Sequence, residues 1–189
     1  MYKITAARAS VFMAAIVALT LTASTRDASG FAPAIESVYT DLNGSKCRTT
    51  STDAESASSE QRCPGIGGYG LEVLDGDSRM SINVIAPGGK SHPLNLWTVV
   101  SSAFSSVGDK AEWRVKRVGK KVVPIALIVR FKASENADNS NAETSYLTVA
   151  KITARQICVT DKIAPSPTAN EEARRAADTA ALRRCLPSP

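Results

Sequence analysis

Alternation of apolar and polar positions is strongest in the middle of the chain. Lys121 to Lys132 carries Val123, Ile125, Leu127, Val129 and Phe131 on one side, and Val122, Ala126 and Ile128 on the other. Apolar residues on both faces predict a central strand covered on both sides. Pro124 has no N–H to donate to a ladder, which confines it to a strand start or a bulge. Glu112 to Val118 alternates in part, with Trp113 and Val115 on one face, and Gly119-Lys120 can turn the chain between the two runs. Leu71-Glu72-Val73 and Met80-Ser81-Ile82-Asn83-Val84 alternate across Asp75-Gly76-Asp77-Ser78, which reads as a hairpin. Tyr146 to Ile152 and Gln156 to Thr160 complete the expected sheet.

Helical spacing occurs twice. Leu96, Val100, Phe104 and Val107 recur at that spacing after Asn95, a candidate N-cap, and predict a short helix. Residues 170–184 predict a longer one. Asn170 can cap it, Glu171 and Glu172 suit its positive end, and Arg183 and Arg184 suit its negative end. Ala173, Ala176, Ala177, Ala180 and Ala181 form a small-residue face able to lie close on a sheet. Residues 49–61 are small and polar without period and predict a flexible loop. Together these elements predict one α+β domain over residues 31–189, a mostly antiparallel β-sheet with a C-terminal α-helix packed on it.

The first thirty residues predict export. Lys3 and Arg8 form a short positive segment, Ser10 to Ala23 is uncharged and mostly apolar, and small residues follow. That order marks a secretory signal peptide over residues 1–30, with an apolar core short of the ~20 residues of a comfortable span. Cleavage is expected between 24 and 32, and Ala28 and Gly30 favour the bond after Gly30. Since the first cysteine is Cys47, no lipid anchor is expected at the leader boundary. No second long apolar run follows, so no membrane span is expected after cleavage, and the location is periplasmic or secreted.

Four cysteines, Cys47, Cys63, Cys158 and Cys185, follow the leader. An even count in an exported chain predicts two disulfides. Zinc is not expected: no C-x-x-C occurs, and the only histidine is His92. The expected pairing joins neighbours, Cys47 with Cys63 and Cys158 with Cys185. Crossed pairings would close longer loops and gain slightly more entropy, so loop entropy does not select among them. Chain reach does allow the local choice. A helix from Asn170 can return towards Cys158, because the connecting segment from Val159 to Ala169 extends ~36 Å at ~3.3 Å per residue.

Charge is unevenly placed. From Phe31 onward the chain is +3, yet residues 110–132 alone hold 8 basic residues against 1 acidic. Residues 31–109 are acidic, with 9 acidic residues against 5 basic. Arg114, Lys116, Arg117, Lys120 and Lys121 would cluster on a hairpin into a patch attractive to an anionic envelope polymer or an acidic protein. Alternatively they blunt a hairpin edge against aggregation. Nucleic acid is not an expected partner, with aromatic content at 5% and the chain exported.

Candidate chemistry is sparse. Gly65-Ile66-Gly67-Gly68-Tyr69-Gly70 matches G-x-G-x-x-G, but a dinucleotide site needs a strand before it and a helix after it. Here Cys63-Pro64 precedes and an expected strand follows, so a glycine turn beside a disulfide is the reading. His92 would have to serve any Ser-His-Asp hydrolase, and no G-x-S-x-G is present. Glu72, Asp75, Asp77 and Glu112 are the acids a glycoside hydrolase would draw on, though their spacing does not distinguish them from hairpin acids. No cofactor, metal or catalytic residue is therefore assigned.

Several short motifs carry a resemblance: Ser37-Val38-Tyr39-Thr40-Asp41-Leu42 ahead of Cys47, Arg62-Cys63-Pro64-Gly65 with Gly68-Tyr69, Glu112-Trp113-Arg114, Ala126-Leu127-Ile128-Val129-Arg130, and Cys158 before a helix ending near Cys185. Over roughly 37–185 the chain resembles a family of small exported proteins of unknown function from Gram-negative bacteria. The resemblance implies export and a compact cysteine-bearing domain, and brings no catalytic residues with it. The leading expectation is a non-enzymatic binding or interaction domain. A small envelope hydrolase and a structural or stress-related envelope protein are the alternatives, and a pocket joining His92 or two acids would favour the hydrolase.

Overall fold

The computed structural model describes residues 34–136, 138–139 and 142–187. The expected signal peptide lies outside the described residues. The order is β1 (Ile35–Asp41), β2 (Arg48–Asp53), β3 (Ser58–Pro64), β4 (Gly70–Gly76), β5 (Arg79–Ile85), β6 (Ser91–Pro93), α1 (Leu96–Val99), β7 (Ser105–Val118), β8 (Lys121–Ala133), β9 (Thr144–Ile152), β10 (Ile157–Ile163) and α2 (Ala169–Asp178). A single turn of 3-10 helix, Ala180–Leu182, follows α2.

The strands form a ten-stranded sheet in the order β10-β9-β8-β7-β5-β4-β3-β2, with β1 added on β7 and β6 on β5. All described pairings are antiparallel except β5 with β7, which meet in parallel at Arg79 and Ser105 alone. Beyond that bridge β7 turns to β1 on one side, while β8 follows it on the other. The sheet thus divides into two antiparallel halves, β1-β7-β8-β9-β10 and β6-β5-β4-β3-β2. Leu71, Val73, Ile82 and Val84 of the second half share one core with Trp113, Val115, Leu127, Val129 and Phe131 of the first. On the reverse face of β8 and β9, Ala126, Ile128, Leu147 and Val149 pack against Ala173, Ala176, Ala177 and Ala180. The central strand is β8, and it is covered on both faces.

The α+β expectation is corrected: the described residues are 53% strand and 13% helical, in a mixed sheet with one small C-terminal helix. Two segments without an apolar period account for the difference. Residues 49–61, expected as a flexible loop, form most of the β2–β3 hairpin. The Cys47–Cys63 bond closes its base, and Asp53 caps its turn by accepting from the Glu55 and Ser56 N–H groups. Ser105 to Lys110 extends β7, because β5, β8 and β1 offer ladder partners there. The long C-terminal helix stops early at Asp178, where the Thr179 hydroxyl bonds back to the Arg175 and Ala176 carbonyls. Thr168 rather than Asn170 occupies the N-cap, and Arg183 and Arg184 fall beyond the helix.

Other differences are local. The α1 helix is a single turn: Phe104 lies outside it and Val107 belongs to β7. Asn95 precedes it in a left-handed conformation without capping through its side chain. In β8 the register slips between Pro124 and Ala126, leaving Ile125 as a bulge. The slip reverses the pleat, so Val122 packs on the core while Val123 is exposed. The hairpin expected from the alternation on either side of Asp75-Gly76-Asp77-Ser78 is the β4–β5 pair, and Asp77 and Ser78 turn it with both φ angles positive.

The two disulfides are Cys47–Cys63 and Cys158–Cys185, with Cα separations of 4.2 and 5.7 Å. The second holds the C-terminal tail along β10, where Leu186 N–H donates to the Val159 carbonyl. No helix among the described residues is long and apolar enough to cross a membrane.

Candidate functional site

The five cations expected as one patch do not form one surface. On β7, Arg114, Lys116 and Val118 project to the α2 side, while Arg117 projects to the other. Arg114 is buried, and its guanidinium grips Asp178 at the end of α2. Arg117 pairs with Glu36, Nε to Oε1 at 2.5 Å. That guanidinium holds the Glu36 carboxyl below its usual range and is itself raised in return. Lys116, Lys120 and Lys121 remain, none with a hydrogen bond or ion pair among the described residues.

Two of these lysines, Lys116 and Lys121, alternate with apolar side chains, and Lys120 lies in the turn between the strands. Lys116 stands opposite Val123, and Val118 opposite Lys121, all on one face of the hairpin end. Ile35 of β1 lies beside Lys116 on the same face. Val118 is 60% exposed and Val123 39%, so the end of the β7–β8 hairpin presents cations and uncovered valines together.

Inward from the hairpin end, β7 and α2 share a polar network. Glu112 accepts from Arg174 Nε at 2.7 Å, and Arg114 donates to Asp178 at 2.7 and 3.0 Å. Two strand residues spaced i, i+2 therefore meet two helix residues spaced i, i+4, with the charges in opposite order. Ser37 of β1 bridges them: its hydroxyl donates to Glu112 at 2.5 Å and accepts from Arg114. The Tyr39 hydroxyl accepts from Arg174 at 3.0 Å. Burial pushes the Glu112 carboxyl up, but the Arg174 hydrogen bond, the Ser37 hydroxyl and the Arg174 charge together outweigh it and hold the group below its usual range. Arg174 is raised correspondingly by Glu112. A cleft of about 480 Å³ lined by Tyr39, Glu112, Arg130, Lys132 and Asn170 opens beside this network.

Of the acids and the histidine singled out in the sequence, Glu72, His92 and Glu112 lie on separate strands, β4, β6 and β7. Glu72 accepts from Arg62 and Asn83, its cross-strand neighbours on the outer face of the second half. Asp77 is held by Arg79 at the hairpin turn, and Glu112 sits across the core in the α2 network. His92 lies on β6 opposite Val84. Among the described residues no group of three His, Cys, Asp or Glu side chains is placed to hold a metal ion. The glycine motif lies between β3 and β4 with no helix opening after it. Its glycines serve packing: a Cβ on Gly65 would stand 2.5 Å from the Tyr69 carbonyl oxygen, and Gly67, at φ +64°, lies against β8.

A second cleft, about 510 Å³, lies between α1 and the outer face of the β3-β4-β5 sheet. Leu74 and Gly76 form its floor, Glu60 and Ser58 stand on one flank, and Arg79 and Ser81 on the other. Trp97 of α1 walls it and is 44% exposed. Asp75 also borders this space, but the pleat turns its side chain to the opposite face from Glu60, so the cleft does not join two carboxylates.

Sequence reading missed Ser37, Tyr39, Arg174 and Asp178. The available signal was the opposed order of charges, Glu112 then Arg114 at strand spacing and Arg174 then Asp178 at helical spacing. No family model, no curated protein and no solved structure matches this chain.

Proposed function

We propose that this protein is an exported, non-enzymatic interaction domain that engages an anionic envelope polymer or an acidic protein through the end of its β7–β8 hairpin. The observation that carries the reading is the set of Lys116, Lys120 and Lys121, cations at the end of the hairpin that have no hydrogen bond or ion pair among the described residues, while Arg114 and Arg117 are internally paired. Unpaired cations at an exposed strand end concentrate positive potential where an anionic partner can reach it. The exposed valines between them add apolar contact that a purely solvated face would not need.

Export supports the same reading. Two disulfides suit an oxidising compartment, and the signal-like residues 1–30 supply a route to it. Membership of the small exported family of Gram-negative proteins is part of this proposal, resting on the motifs between 37 and 185. Charge reversal of Lys116, Lys120 and Lys121 together tests it. The wild type is expected to be retained on an immobilised polyanion at low salt and released as salt rises, and the triple variant to pass through. Equal retention of both proteins would reject the hairpin end as the binding face.

A further inference from the structure

We infer that the cleft between α1 and the outer face of β3-β4-β5 is a binding site for an organic cation, a ligand bearing a primary or quaternary ammonium group. Its volume, about 510 Å³, is that of a small-molecule site. It lies on the opposite half of the sheet from the hairpin end and does not depend on that reading.

Three observations point to a ligand. The first is Gly76. It sits in a strand without a positive φ, and a Cβ placed on it would meet nothing within 4 Å. Neither backbone conformation nor packing requires glycine there, and glycine weakens a strand. What its missing side chain does is leave the cleft floor open between Ser58 and Arg79.

The second is Trp97. The other tryptophan, Trp113, is fully buried, and its indole N–H donates to Thr40 at 2.9 Å. Trp97 instead offers its indole to the cleft and to solvent. An exposed indole face attracts a cation through its quadrupole, and tryptophan does this best among the aromatic residues.

The third is the charge balance. The Glu60 side chain borders the cleft without a hydrogen bond or ion pair among the described residues. Arg79, the one cation in the lining, is already neutralised: Nη1 reaches Asp77 at 2.7 Å, Nε donates to the Ser102 carbonyl, and the guanidinium lies 4.6 Å over the Phe104 ring. The carboxylate therefore dominates, and a ligand cation completes it. Leu74 on the floor suits the alkyl carbons beside an ammonium.

Intrinsic fluorescence tests this in the intact protein, because Trp97 is the indole open to solvent. Tetramethylammonium and Nα-acetyl-lysine methylamide should each change its emission saturably, while acetate should not. Glu60→Gln should weaken both ammonium probes about tenfold, in keeping with loss of a charge partner. Gly76→Val should abolish the response while leaving the melting temperature unchanged or higher, since a β-branched residue suits a strand. A response to neither ammonium probe overturns the inference. So does saturable binding of N-acetylglucosamine that Glu60→Gln leaves unchanged, which would make this a neutral saccharide site.

Discussion

Arg114 and Asp178 meet across the strand–helix interface in a two-pronged ion pair, Nε to Oδ1 at 2.7 Å and Nη2 to Oδ2 at 3.0 Å. Asp178 is the last residue of α2, where the helix dipole disfavours a carboxylate. Arg114 in turn sits on a face of β7 that the helix covers, with its side chain only 10% exposed. Each charge stands in a place unsuited to it alone, and each is made tolerable by the other.

The prediction is that Arg114→Met destabilises the fold by about 3–5 kcal/mol, because Asp178 is left without its partner at the interface. Asp178 is about a third exposed, so the lower end of that range is expected. The double variant Arg114→Met, Asp178→Leu should recover most of the loss, since an apolar pair no longer strands a charge. Urea denaturation measures both. A single variant within about 0.5 kcal/mol of the wild type would show that the pair contributes nothing.

Glu112 gives a pH prediction. Its carboxyl is held below the usual 4.5 in the folded protein. A depressed folded value means stabilisation that is fully present above about pH 4.5 and lost as pH falls through the folded value. Glu112→Gln should therefore be less stable than the wild type at neutral pH, and the gap should begin to narrow once pH falls below about 4.5. Thermal melts of both proteins from pH 7 to pH 3 follow that gap. A gap constant across the range would mean that the Glu112 charge is not what Arg174 stabilises.

Much of the sheet was legible because its strands carry their own apolar period. Leu127, Val129 and Phe131 against Ala126 and Ile128 announce a strand covered on both sides, and the Ala face of α2 announces a close partner. The β2–β3 hairpin was not legible. Every residue of β2 is exposed, so no burial pattern marks it, and its order comes from a covalent closure and a turn carboxylate. The Ile125 bulge was half legible: Pro124 requires an irregularity nearby, yet nothing in the residues tells which side of the pleat survives it. Cation clustering in sequence was only a partial guide to which side chains stay unpaired, for a related reason. Strand alternation sends Arg114 and Arg117 to opposite faces, and only tertiary packing decides which one meets an acid.

Ala173 is predicted to be a packing limit. It is fully buried where α2 lies on β8 and β9, among Ala126, Ile128, Leu147 and Val149. Ala173→Leu lowers helix propensity slightly and adds three carbons to an interface with no room for them. The expected loss is about 1–3 kcal/mol. Ala181→Leu, at an exposed position just past the helix, should change stability by less than about 0.5 kcal/mol. Comparable effects at the two positions in denaturation would contradict the close helix–sheet packing.

The two disulfides are predicted to differ in what their loss exposes, although their entropic contributions are similar. They close loops with sequence separations of 16 and 27, worth about 3 kcal/mol each in the chain-entropy model. Opening Cys47–Cys63 by a Cys47→Ser, Cys63→Ser variant releases the base of a hairpin whose β2 strand is already solvated. Opening Cys158–Cys185 frees the tail that lies along β10. That tail is otherwise held by the Leu186-to-Val159 backbone bond, by Arg183 on Asp161 at 2.5 Å, and by Lys151 donating to the Arg183 carbonyl. Its departure would uncover a strand edge containing Ile157 and Val159, a template for pairing with another chain. Both double-serine variants should therefore lose similar stability by chemical denaturation. Only Cys158→Ser, Cys185→Ser should also form concentration-dependent oligomers in size-exclusion chromatography below its melting temperature. Equal association by the two variants would show that the tail does not guard the β10 edge.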